Sequence, residues 1–149
     1  MLNNELIKSK MGYIVNYLNE IESIKNMDVL DILRDVKSLR FFERNFQLIV
    51  DTMLDINSHI IVEENFGIPD SYSNTFIILG EKKVVPFDFA QKIAEAVKLR
   101  NMVVHKYDKV DNKKMIQDLK NGISQFEEYL VYVDNFMKLK QAESYSNKK

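Results

Sequence analysis

The 149-residue chain has no cysteine, two histidines and a formal net charge of −1. Disulfides, thiolate catalysis and cysteine-based zinc sites are therefore excluded, and the whole molecule is no polycation that coats nucleic acid indiscriminately. With 46% hydrophobic and 29% charged residues it has the make-up of one globular domain with a real core.

The first helix is expected from about Asn4 to Ser23, with Ile7, Met11, Ile14, Val15, Leu18 and Ile21 on one face. Asn26 or Asp28 suits the cap of a second, short helix. A long helix then runs to about Asn65, where Gly67 and Pro69 are stop signals. Asp70-Ser71 or Ser73 restarts a short helix that Gly80 terminates, and Pro86 suits the first turn of the next, about Phe87 to Met102. Asp111 caps a last long helix to about Lys140. Four glycines, two prolines and no strand pattern longer than KVVPF point to an all-α, up-and-down bundle of five to six helices. One domain is expected over 1–140, with 141–149 as a frayed tail. The N-terminal MLNNELIKSK lacks an apolar signal core, and no apolar run approaches the roughly 18 residues of a membrane span. A cytoplasmic protein without a membrane partner is the expectation. Two histidines and no HExxH spacing give no reason to expect a bound metal, and no cofactor motif occurs.

On the long helix, Arg44, Gln47, Asp51, Asp55 and His59 fall on one side, opposite Phe46, Ile49, Val50, Met53, Ile56 and Ile60. That stripe is either a solvated face or one wall of a polar cleft. For His59 the spacing predicts a hydrogen bond to Asp55, one turn earlier.

The stretch KLRNMVVHKYDKVDNKK, residues 98–114, concentrates what the rest of the chain lacks. Lys98, Arg100, Lys106, Lys109, Lys113 and Lys114 oppose Asp108 and Asp111, a net of +4, which leaves −5 elsewhere. It also holds one of the four arginines and one of the two histidines. The expected structure is a turn, anchored by Val103 and Val104, that leaves Arg100, His105 and Tyr107 on the polar side. A guanidinium and an imidazole suit a phosphodiester: the imidazole moves a proton near neutral pH, and the planar fork neutralises phosphate oxygens. RNA brings its own nucleophile in the 2′-hydroxyl, so such cleavage needs no metal. On spacing alone Arg-x4-His is a weak signal, and Arg100 near a helix C-terminus also has a purely structural use against the dipole.

In context, R-N-x-x-V-H-x-Y followed by D-x-V-D resembles the HEPN superfamily, and more closely its HepT-like toxin branch. E-R-N-F-Q-L and D-I-N-S-H-I on the long helix are similar to that branch too, as is the run Pro69, Ser71, Tyr72, Phe76 and Leu79. The likeness covers about Leu6 to Met137. It implies a HEPN-like fold, dimerising through a four-helix core, and a homodimeric, metal-independent RNase of a toxin–antitoxin pair, acting on tRNA or mRNA. Carried over, Arg100 stabilises the phosphate, His105 is the acid–base residue and Asn101 orients the turn. Lys98, Lys106 and Lys109 form the basic patch for RNA, with Arg44, Asp51 and Asp55 as a supporting polar face. The implied partner is a nucleotidyltransferase antitoxin of the MntA type, and Tyr107 matches the tyrosine that such partners modify with AMP. A tyrosine packed under the turn is the plain alternative for Tyr107. For the whole chain the alternative is a non-catalytic HEPN module that binds a nucleotide or a nucleotidyltransferase.

Overall fold

The computed structural model describes the backbone of residues 2–105 and 112–147, and their side chains except at 102–105, 112 and 115. Among the described residues there are seven helices and no strand: α1 (Asn4–Glu20), α2 (Glu22–Lys25), α3 (Val29–Arg34), α4 (Val36–Glu63), α5 (Tyr72–Glu81), α6 (Phe87–His105) and α7 (Asn112–Asn147). The count exceeds the expected five to six because the first helix breaks at Ile21, whose backbone (φ −95°, ψ 7°) leaves α-geometry. Ile21 and Ile24, at and just after the break, are both buried in the core.

α4 is the centre of the bundle and packs against α1, α3, α5 and α6. Asp35 caps its start: Oδ1 accepts from the Lys37 amide at 3.2 Å and Oδ2 from the Ser38 hydroxyl at 2.7 Å. These bonds hold the Asp35 carboxyl below its ordinary pKa. Its buried stripe includes Phe42, Phe46, Ile49, Val50, Met53, Ile56 and Ile60. Each such side chain contributes about 1.5–3 kcal/mol when fully buried. α7 answers with Ile116, Leu119, Ile123, Phe126, Val133 and Met137, and the Phe46 and Phe126 rings lie 5.3 Å apart. On α1, Ile7, Ile14 and Leu18 are buried as expected, whereas Val15 is exposed.

α4 ends in a Schellman motif. Asn65 takes the left-handed conformation (φ 56°), its amide donates to the Val62 carbonyl, and the Phe66 amide reaches back to Ile61. Gly67 (φ 106°) and Pro69 follow, as the sequence predicts. α5 ends the same way but not at its glycine. Lys83 is the left-handed residue (φ 64°), with its amide on the Gly80 carbonyl and the Val84 amide on Leu79. Gly80 is buried inside α5 and serves another purpose: a Cβ there would lie 2.6 Å from the Ala90 Cβ of α6. The glycine lets α5 and α6 approach.

One buried polar chain ties three helices together. The Tyr129 hydroxyl of α7 donates to Asn57 Oδ1 of α4 at 2.6 Å and also lies 3.2 Å from the Met53 carbonyl. The Asn57 amide donates to Thr75 Oγ1, which donates to the Tyr72 carbonyl in the first turn of α5. Burial pushes the Tyr129 phenol well above its ordinary pKa. α7 also runs on to Asn147, beyond the expected end near Lys140. Lys140 is held by Glu64 at the end of α4 (2.9 Å) and by Glu143 one turn on, which continues the helix through residues expected to fray.

Candidate active site

The site lies at the C-terminal end of α6. Ile93, Ala94, Ala96 and Val97 are buried and seat this helix in the bundle, where Arg100 meets Asp51 of α4. The stretch from Arg100 to His105 is not the expected turn: its backbone is helical through His105. No glycine or proline stands between Phe87 and His105, so nothing in the sequence stops the helix earlier.

Arg100 Nε donates to Asp51 Oδ1 at 2.9 Å, and Nη1 donates to Asn101 Oδ1 at 3.1 Å. The Arg100 and Asp51 side chains are 25% and 39% exposed. An ion pair so open to water contributes only about 0–1 kcal/mol to stability. Its consequence is orientation: two of the five guanidinium protons are fixed, and Nη2 has no protein acceptor among the described residues. A planar fork fixed in this way could meet a phosphate without first having to be ordered.

The rest of the polar stripe divides. Asp51 meets Arg100, but Asp55 turns to α1, where Lys10 Nζ donates to its Oδ2 at 3.2 Å. His59 does not bond Asp55 either; its Nε2 accepts from the Asn3 backbone amide at 3.1 Å. The start of α1 lies along this part of α4, and its open amide takes the imidazole acceptor. Arg44 is exposed further along α4. Lys98 is exposed on α6 and pairs with Glu95 at 3.1 Å. Lys106, Tyr107, Lys109 and the Asp111 cap lie outside the described residues, as does the side chain of His105.

A cleft of about 520 Å³ opens beside Asn101. Val97, Lys98 and Asn101 of α6 line one side, residues 69–73 line another, and Ser58 and Thr75 also contribute. The sequence reading gave no site role to this loop, although Pro69, Ser71 and Tyr72 stood out within a patterned run. Ser71 caps α5 through its Oγ, which accepts from the Asn74 amide at 3.1 Å.

The described residues form an all-helical bundle, and its fold is that of the HEPN toxins. The Shewanella oneidensis HEPN toxin, described as tri-AMPylated and in complex with an MNT antitoxin, superimposes with a TM-score of 0.80 at 21% identity, covering 89% of this chain and 98% of that one. The chain belongs to the ribonuclease HepT-like family, whose sequence profile matches residues 14–133. It is 28% identical over 134 residues to the tRNA nuclease HepT of Aphanizomenon flos-aquae, across 89% of this chain and 90% of that one. It is 22% identical over 127 residues to the mRNA nuclease HepT of Shewanella oneidensis, across 85% and 95%. No helix among the described residues is long and apolar enough to cross a membrane.

Proposed function

We propose that the protein is a metal-independent endoribonuclease toxin, active as a homodimer and restrained by a nucleotidyltransferase antitoxin that AMPylates Tyr107. The observation that carries this reading is the Arg100 guanidinium, held by Asp51 and Asn101 five positions ahead of His105. The relatives' descriptions as tRNA and mRNA nucleases support RNA as the substrate, and the complex of the Shewanella toxin with its antitoxin supports the pairing.

In this mechanism an imidazole takes the 2′-hydroxyl proton while the 2′-oxygen attacks phosphorus. The bond from phosphorus to the 5′-oxygen breaks, and an acid returns a proton to that oxygen. The products are a 2′,3′-cyclic phosphate and a 5′-hydroxyl. Arg100 holds the phosphate oxygens as charge builds on them. The reaction needs a base and an acid, and each chain offers one His105, so two chains with their motifs facing each other supply both.

Purified protein free of its partner is expected to cleave RNA in EDTA and to leave cyclic-phosphate ends. His105→Ala is expected to abolish cleavage, and Arg100→Ala to lower it on the order of 10²-fold. Wild-type activity in His105→Ala refutes the assignment. After co-expression with the partner, intact mass is expected to rise by AMP-sized increments that Tyr107→Phe loses. The added phosphodiester brings negative charge and bulk to the basic segment that is to bind RNA phosphate. An unchanged mass with full inhibition makes the partner a steric plug instead.

A further inference from the structure

The cleft beside Asn101 has a composition that the proposed cleavage chemistry does not use. Tyr72 lines it while remaining 67% exposed, and its position is fixed from below: its own carbonyl accepts from Thr75 Oγ1 at 2.7 Å, and Ser71 caps the helix it begins. Asp70 brings a carboxylate, Ser58 a hydroxyl, and the Ser71 and Ser73 hydroxyls lie 3.2 Å apart. Among the described lining residues the one ammonium, Lys98, is already paired with Glu95.

That balance argues against a phosphate. The Asp70 carboxylate repels an anion, and the Lys98 ammonium is partly neutralised by Glu95. It argues for a flat, neutral ligand with hydrogen-bonding edges. The volume falls in the range of about 300–1,000 Å³ usual for sites that enclose a small organic group. Asn101 joins the cleft to the reactive arginine, because its Oδ1 accepts from Arg100 while its residue lines the cleft wall. A ligand seated here therefore lies next to the phosphate that Arg100 would hold.

We propose that this cleft is a nucleobase subsite that takes the base of a nucleotide flanking the scissile phosphate. The Tyr72 ring is the stacking platform, and Asp70 is the acceptor that reads donors on the base edge. The inference rests on the ribonuclease reading above and adds the residues that choose where the RNA is cut. Every base has a π-face, so Tyr72 contributes affinity without preference. Preference comes from Asp70, an acceptor-only group that matches bases presenting N–H donors. A docking protein is the less suited occupant, since among the described lining residues Pro69, Tyr72 and Val97 stand beside a majority of polar side chains, Asp70 and Lys98 included.

The test is steady-state cleavage of short RNA oligonucleotides that differ only in the bases flanking the cut. Binding of the same oligonucleotides, made uncleavable by a 2′-deoxy substitution, is read by fluorescence anisotropy. Tyr72→Ala is expected to raise KM and Kd about tenfold with little change in kcat, and Tyr72→Phe to restore most of the loss. Asp70→Asn is expected to change the ranking among the oligonucleotides. Tyr72 is mostly exposed, so the thermal midpoint should stay at the wild-type value. Wild-type KM and Kd in Tyr72→Ala overturn the subsite. So does a Tyr72→Ala protein that cleaves normally but escapes its co-expressed partner, which would make the cleft a protein-docking surface. Absence of cleavage by the wild type overturns the ribonuclease reading alone, because the anisotropy comparison still decides the cleft.

Discussion

At the scale of single residues, Arg100 shows what hydrophobic periodicity reveals and what it leaves out. The period of α4 put Arg44, Asp51, Asp55 and His59 on one side of that helix. It gave no means of knowing which neighbouring helix each would face. Asp51 meets Arg100 of α6, while Asp55 and His59 meet Lys10 and the Asn3 amide at the start of α1. Tyr129 is the converse case, a tyrosine that looks like any other apolar position on α7 yet carries a fully buried hydroxyl. Tyr129→Phe removes the donor to Asn57 Oδ1 and leaves that oxygen buried without it. The expected cost is about 1–3 kcal/mol, read as a lower urea midpoint with an unchanged m-value. A variant as stable as wild type would mean that water replaces the lost partner.

At the scale of elements, the two glycines nearest helix ends do different work. Gly67 follows the left-handed Asn65 where α4 stops, and the stop was legible because Gly and Pro stand together there. Gly80 carries the same letter three residues before the end of its own Schellman turn, so the helix appeared to end too early. Only the tertiary contact with Ala90 explains it, and a one-dimensional pattern does not contain that contact. Two substitutions of opposite sign follow. Gly80→Ala forces α5 and α6 apart at an overpacked contact and is expected to cost about 1–3 kcal/mol. Lys83→Gly relieves a left-handed lysine and is expected to stabilise by about 1 kcal/mol. Chemical denaturation of the two variants checks both, and equal shifts in one direction would contradict the assignment of roles. The length of α6 has a related origin: two valines and a histidine resemble a turn, but with no glycine or proline the helix continues to His105.

At the scale of the whole molecule, the helical class was legible because apolar residues recur with the helical period almost throughout and breakers are few. Assembly was not legible, since an exposed face and an interface share one composition. The proposed two-chain site makes a sharp prediction. Wild-type protein is expected to sediment as a dimer at micromolar concentration. Heterodimers of wild type with His105→Ala, isolated by differential tagging, are expected to have almost no activity, because one imidazole cannot serve as both base and acid in a single event. Half the wild-type rate would show two independent sites.

The hydroxyl–amide chain from Tyr129 through Asn57 and Thr75 to the Tyr72 carbonyl also sets which insertions and deletions the protein can absorb. The aliphatic contacts of α7 recur every three or four residues, and a helix slipped by a turn still finds greasy neighbours. The phenol has one address. Losing a single residue between 113 and 128 turns Tyr129 by about 100° relative to the preceding part of the helix, leaving Asn57 Oδ1 in the interior without its donor. The same loss after Met137 disturbs nothing in that chain. Length variation among homologues of this protein should therefore collect beyond residue 137, with the number of residues between Ile116 and Tyr129 held constant.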